Sequence, residues 1–123
     1  MSTIENIVCI FFDIQYKIKV NHLQTTQFSR HKATDALYER LLDLTDKFIE
    51  VYLGHYNIKL NFTKSNSINI TNVDDTYIIK YLKNFRLILL SLSSTLKEST
   101  ELLNIRDEMI AEINQTLYLF TLS

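Results

Sequence analysis

Five side chains in the first half of this chain have the types and the spacing of a metal site: His22, His31, Asp35, Asp46 and Glu50. Imidazole nitrogens and carboxylate oxygens suit first-row divalent cations, ferrous iron among them, with zinc and manganese as competitors. His31 and Asp35 are four residues apart, and so are Asp46 and Glu50. On a helix, side chains at i and i+4 stand one above the other, so each pair can aim two ligands at one point. The two pairs cannot share an ion within one helix. His31 and Asp46 are separated by about 22 Å along the axis, whereas a metal–ligand bond is about 2 Å long. An antiparallel second copy of the same helix removes the difficulty. A two-fold axis near Arg40 and Leu41 lays His31 and Asp35 of one copy beside Asp46 and Glu50 of the other, and symmetry makes two equal sites per dimer.

The elements that must hold these residues are helices. The 123 residues contain one glycine and no proline. Sheet proteins need such residues in turns at short intervals, so a chain without them is built most easily from a few long helices. The first helix is expected to start after a Ser2/Thr3 cap and to run to about Phe28, with Ile4, Ile7, Val8, Phe11, Ile14 and Ile18 on its buried stripe. The second runs from about Ser29 to Leu53, ended by Gly54. Its core stripe is Leu37, Leu41, Leu44, Phe48, Val51 and Tyr52. A second arc carries Tyr38, Leu42, Ile49 and Leu53 among the candidate ligands. A lone helix needs one buried stripe, so the second points to burial against another subunit. The third helix begins near Asn72, with Asp74 and Asp75 in its first turn and a stripe of Tyr77, Tyr81, Phe85, Ile88, Leu92 and Leu96. After a break at Lys97 to Thr100, the fourth carries Leu102, Ile105, Met109, Ile113, Leu117 and Phe120.

Tyr56 to Val73 has no helical periodicity. Extended, it reaches roughly 59 Å at about 3.3 Å per residue, more than the roughly 37 Å of a 25-residue helix. It can therefore cross the whole molecule and leave the second and third helices parallel. The expectation is an all-α, ferritin-like four-helix bundle with one long crossover between helices two and three, forming a single domain over residues 1–123.

Composition excludes several classes. Net charge is −1, so no basic field attracts DNA. The apolar run Ile7 to Phe12 meets Asp13 too soon to span a membrane or act as a signal peptide. Cys9 has no partner for an internal disulfide and is expected in the core. With these features the expected location is the cytoplasm of a cell or of an infected host, or a virion. Richness in Ile, Asn and Lys points to an AT-rich, viral source. Tyr118 is expected to pack, Glu39 to lie on the surface, and His55 to interact with a helix end.

The order His22, then His31-x3-Asp35, then Asp46-x3-Glu50 resembles the ferroxidase site of Dps proteins, the mini-ferritins. The stretch HKATDALYERLLDLTDKFIE, His31 to Glu50, reads like that family's second helix. Leu23 stands where the family commonly has a tryptophan, and the segment from His22 to His31 is shorter than usual. The resemblance implies metal ligands at His22, His31, Asp35, Asp46 and Glu50. It implies iron (Fe2+/Fe3+) as the metal, Fe(II) oxidation by peroxide or oxygen, iron storage, and a homo-oligomer, the family's being dodecamers. DNA compaction comes with the same likeness, without support from charge. The competing class is a non-enzymatic, ferritin-like structural or interaction protein of viral origin. A large, iron-containing oligomer separates the first from the second.

Overall fold

A computed structural model describes residues 3–122. It contains four helices: α1, Ile4–Gln24; α2, Phe28–Tyr56; α3, Asp75–Thr95; and α4, Thr100–Leu119. There is no strand among the described residues. Among the described residues no helix is long and apolar enough to cross a membrane.

Each helix end has a local cause. Ser2 lies outside the described residues, and Thr3 caps α1 by accepting from Asn6 N at 3.2 Å. α1 stops at Gln24 rather than near Phe28. Thr25 turns extended, and its Oγ1 accepts from Gln27 N at 3.2 Å while donating to Asp75 Oδ2 at 3.1 Å. Phe28 therefore opens α2. Gly54 does not end α2. The helix runs on to Tyr56 because its last residues are tied to the start of α4: His55 Nδ1 lies 2.7 Å from Glu101 Oε2, and Tyr56 OH lies 3.1 Å from Ser99 Oγ. The left-handed residue is Asn57, at φ 52°, ψ 52°. Ile58 N donates to Leu53 O and Asn57 N to Gly54 O, the paired bonds that close a helix of this kind. Asp74 is the cap of α3 rather than part of its first turn, accepting from Thr76 N and Tyr77 N at 3.0 and 2.8 Å. The α3–α4 connection spans Leu96 to Ser99, one residue earlier than expected at each end.

α1 packs on α2 and α3, and α4 packs on α2 and α3. Among the described residues the backbones of α2 and α3 make no close approach, nor do those of α1 and α4, so each of these pairs sits diagonally across the bundle. Arg30 at the start of α2 donates to Asp75 O at the start of α3, so these two helices begin at the same end and run parallel. The connection from Asn57 to Asp74 runs along α1. Asn61 N donates to Glu5 Oε2 at 2.9 Å, Tyr16 OH donates to Asn69 O, and Val73 N donates to Gln24 Oε1 at 2.9 Å.

The core is shared by all four helices. Phe11 meets Phe48 and Phe85 edge-on, at 5.5 and 6.1 Å between ring centres, which joins α1, α2 and α3. Leu102, Met109 and Ile113 close it from α4. Burying each such side chain stabilises the fold by about 1.5–3 kcal/mol. The stripe on α3 is rotated from the expected one: Ile78, Leu82, Phe85, Leu89 and Leu92 are buried, whereas Tyr77 and Ile88 are exposed. Tyr118 is also exposed rather than packed. Cys9 is half-buried rather than in the core, and lines a cavity with Phe12, Phe62 and Ile68.

Candidate metal-binding half-sites

His22 sits in the last turn of α1 and His31 in the first turn of α2, so the short turn between the helices brings the two rings together. They stack at 3.9 Å between centres with 17° between planes. Each ring is tied to the other residue's backbone: His22 Nδ1 lies 2.9 Å from His31 O, and His31 Nδ1 lies 2.8 Å from His22 O. A carbonyl oxygen only accepts, so both Nδ1 atoms donate, and in the neutral rings the lone pairs belong to the two Nε2 atoms. Metal-binding histidines are commonly prepared in this way, with the other ring nitrogen bonded to a carbonyl or carboxylate that fixes the tautomer. Asp35 lies one turn further on, exposed, with Oδ1 at 3.9 Å from His22 Nε2.

Asp46 and Glu50 lie exposed on the same outward arc of α2, towards its other end. The hydrogen bond from Glu50 to Asp46, followed by the negative charge of Asp46, raises the Glu50 carboxyl above its ordinary range. No cation of this chain pairs with either carboxylate among the described residues. The arc between the two ends carries Tyr38, Ile49 and Leu53 half-buried and Leu42 exposed. Glu39 lies on the surface, as expected.

The structure therefore groups His22, His31 and Asp35 in one place and Asp46 with Glu50 in another. Among the described residues, no three His, Cys, Asp or Glu side chains of one chain converge closely enough to hold an ion. Each group is at most a half-set of candidate ligands. Phe28 was not foreseen here. It stands three residues before His31 on the same helix face, at 6.5 Å and 24° from its ring, and supplies an aromatic neighbour that Leu23 does not. Its signal was the i, i+3 spacing, hidden by placing Phe28 in the preceding helix. His55 was assigned to a helix dipole. It instead bridges Glu101 and Ser99, with Nε2 at 3.1 Å from Ser99 Oγ.

No solved structure matches this chain. A curated relative from Enterobacteria phage T4, described as an uncharacterized 14.6 kDa protein in the mobD-ri intergenic region, is 50% identical over 34 residues. That match covers 28% of this chain and 27% of the relative, so the chain spans about a quarter of the relative's length. The family model that matches residues 22–120 describes a family of unknown function, DUF5856, and takes in all five candidate ligands. This overturns the resemblance to Dps proteins. That likeness rested on His22 and on the His31-x3-Asp35 and Asp46-x3-Glu50 spacings of α2, short patterns that helices of unrelated descent can share, whereas the family match extends through α2, α3 and α4. The chain belongs to the family of unknown function DUF5856.

Proposed function

We propose that this protein binds a divalent transition metal, ferrous iron as substrate, at two equal sites between paired copies, and promotes its oxidation. We also infer that its four helices form a ferritin-like bundle, a reading supported by the parallel α2 and α3 and the long crossover between them. The observation that carries the functional reading is the stacked His22/His31 pair, whose reciprocal bonds to backbone carbonyls leave two Nε2 lone pairs as ligands. His22, His31 and Asp35 of one copy would hold the ion together with Asp46 and Glu50 of an antiparallel partner. The donor set is nitrogen and carboxylate oxygen, which fits Fe(II), with Zn(II) and Mn(II) competing. An arriving cation would relieve the repulsion between Asp46 and Glu50, and their charge would favour the ferric over the ferrous state. Oxygen or peroxide would take the electron.

The test uses complementation. His31→Ala and Asp46→Ala are each expected to abolish metal binding and aerobic Fe(II) oxidation. When the two variants are unfolded together and refolded as a mixture, half the dimers pair one of each. Every mixed dimer holds one intact site, so about a quarter of the wild-type sites return. Undiminished binding in both single variants refutes the site. No recovery in the mixture refutes its placement between copies.

A second reading, a structural or interaction protein without turnover, is supported by large apolar side chains left exposed on several faces, Leu87 and Ile70 among them. Metal content of the purified protein separates the two.

A further inference from the structure

The outward face of α3 has no cover. Leu87 is 64% and Leu90 48% exposed. Lys80 and Lys83 precede them on the same side of the helix, at the three- and four-residue spacing that makes a continuous ridge. The opposite side of α3, with Leu82, Phe85 and Leu89, is committed to the core. Neither lysine makes an ion pair among the described residues.

Elsewhere on the molecule, α2 and α4 enclose an open groove of about 470 Å³. Arg40, Asp43 and Leu44 line it from α2, and Glu108, Ala111 and Glu112 from α4. Arg40 is neutralised by Glu112, at 3.2 Å. Asp43 and Glu108 have no cationic partner among the described residues. The groove thus presents two unmatched negative charges beside an apolar floor of Leu44 and Ala111, whose short side chain leaves room for a knob.

We propose that the Lys80–Lys83–Leu87–Leu90 ridge of one copy docks into the α2/α4 groove of a second copy. Two positive charges meet two negative ones, and Leu87 enters beside Ala111. Complementary charge and shape on two patches of one chain select another copy of that chain as the occupant. The contact is heterologous, because the two patches differ. The ridge faces away from the core side of α3, whereas the groove opens between α2 and α4, so a bound copy leaves its own free patches available, and copies add head to tail. None of the groove's lining residues is a candidate ligand, although Asp43 lies about two turns from Glu50 along α2. The inference therefore stands whether or not the metal reading does.

Sedimentation of the full chain in chelator tests it. At low salt the wild type is expected to form species larger than a dimer, and high salt is expected to shrink them. The double reversals Lys80→Glu/Lys83→Glu and Asp43→Lys/Glu108→Lys are each expected to weaken this association at least tenfold, and the two combined in one chain to restore it. Leu87→Asp is expected to weaken it with charge at the groove unchanged. All five side chains are exposed, and circular dichroism reads whether the helices persist. A wild type no larger than a dimer, reversals that leave the mass unchanged, or a quadruple variant that fails to reassemble each overturns the proposal. Asp46→Ala, which tests the metal reading, leaves this association unaltered.

Discussion

Asp46 stands one helical turn below Glu50, and a hydrogen bond to it followed by its negative charge raise the Glu50 carboxyl above its ordinary range. The folded value of Glu50 lies above its unfolded one. The bond to Asp46 is therefore fully present in acid, and its contribution is lost as pH rises through the folded value. Above that point the metal-free protein carries a repulsion that a cation would relieve. Glu50→Gln keeps the hydrogen bond without the charge. It is expected to raise the metal-free melting temperature at neutral pH by about 1–3 °C and to remove the further rise that Mn(II) produces in the wild type. Thermal melts with and without Mn(II) check both effects. An unchanged Mn(II) response in Glu50→Gln removes Glu50 from the ligand set.

At the scale of elements, the far end of α2 depends on two side chains with separate tasks. Asn57 occupies the left-handed conformation that ends the helix. Asn57→Ala is expected to cost about 1 kcal/mol and Asn57→Gly close to nothing, read from denaturant melts. Glu101 ties the start of α4 to this end, and the hydrogen bond from His55 is the main cause that lowers its carboxyl below the ordinary range. A lowered value means stability present above the unfolded pKa and lost as pH falls through the folded one. Amide exchange in the first turn of α4 is thus expected to quicken in acid, and His55→Ala to remove that dependence. The expected stripes on α1, α2 and α4 were legible because one apolar face on each is the stronger, even where α2 adds a second arc. α3 is apolar on most sides, and its periodicity fits both Tyr77–Tyr81–Phe85–Ile88 and Ile78–Leu82–Phe85–Leu89. Only contact with α1 and α4 selects the second. Gly54 misled for a related reason. A glycine permits a helix end, but the bonds of His55 and Tyr56 to α4 carry the helix past it. The placement of the two i, i+4 pairs on the outward arc of α2 was legible because that spacing is local. The stacking of His22 on His31 was not, because it depends on the path of the turn at Thr25.

At the scale of the whole molecule, the distribution of the candidate ligands imposes a condition that no single residue meets. The His22/His31/Asp35 group and the Asp46/Glu50 group are about 22 Å apart along α2, and the core, with Phe11 between Phe48 and Phe85, holds that helix rigidly in place. Phe11→Ala is expected to cost about 3–5 kcal/mol in chemical denaturation by opening this joint. No motion within one folded chain can close the gap, so metal binding of the proposed kind must rise and fall with pairing of copies. Leu42 provides the means to separate pairing from ligation. It lies on the outward arc close to the expected two-fold axis, is exposed in the single chain, and is not a ligand. Leu42→Asp places two carboxylates against each other across that axis while every candidate ligand remains. Its helical content should match the wild type. Its pairing should weaken at least about tenfold, and both metal sites should be lost together, read as native mass and metal per chain on the same samples. Retention of one metal per chain by a Leu42→Asp monomer would show that a single copy supplies the whole ligand set, and would end the two-copy reading of these residues.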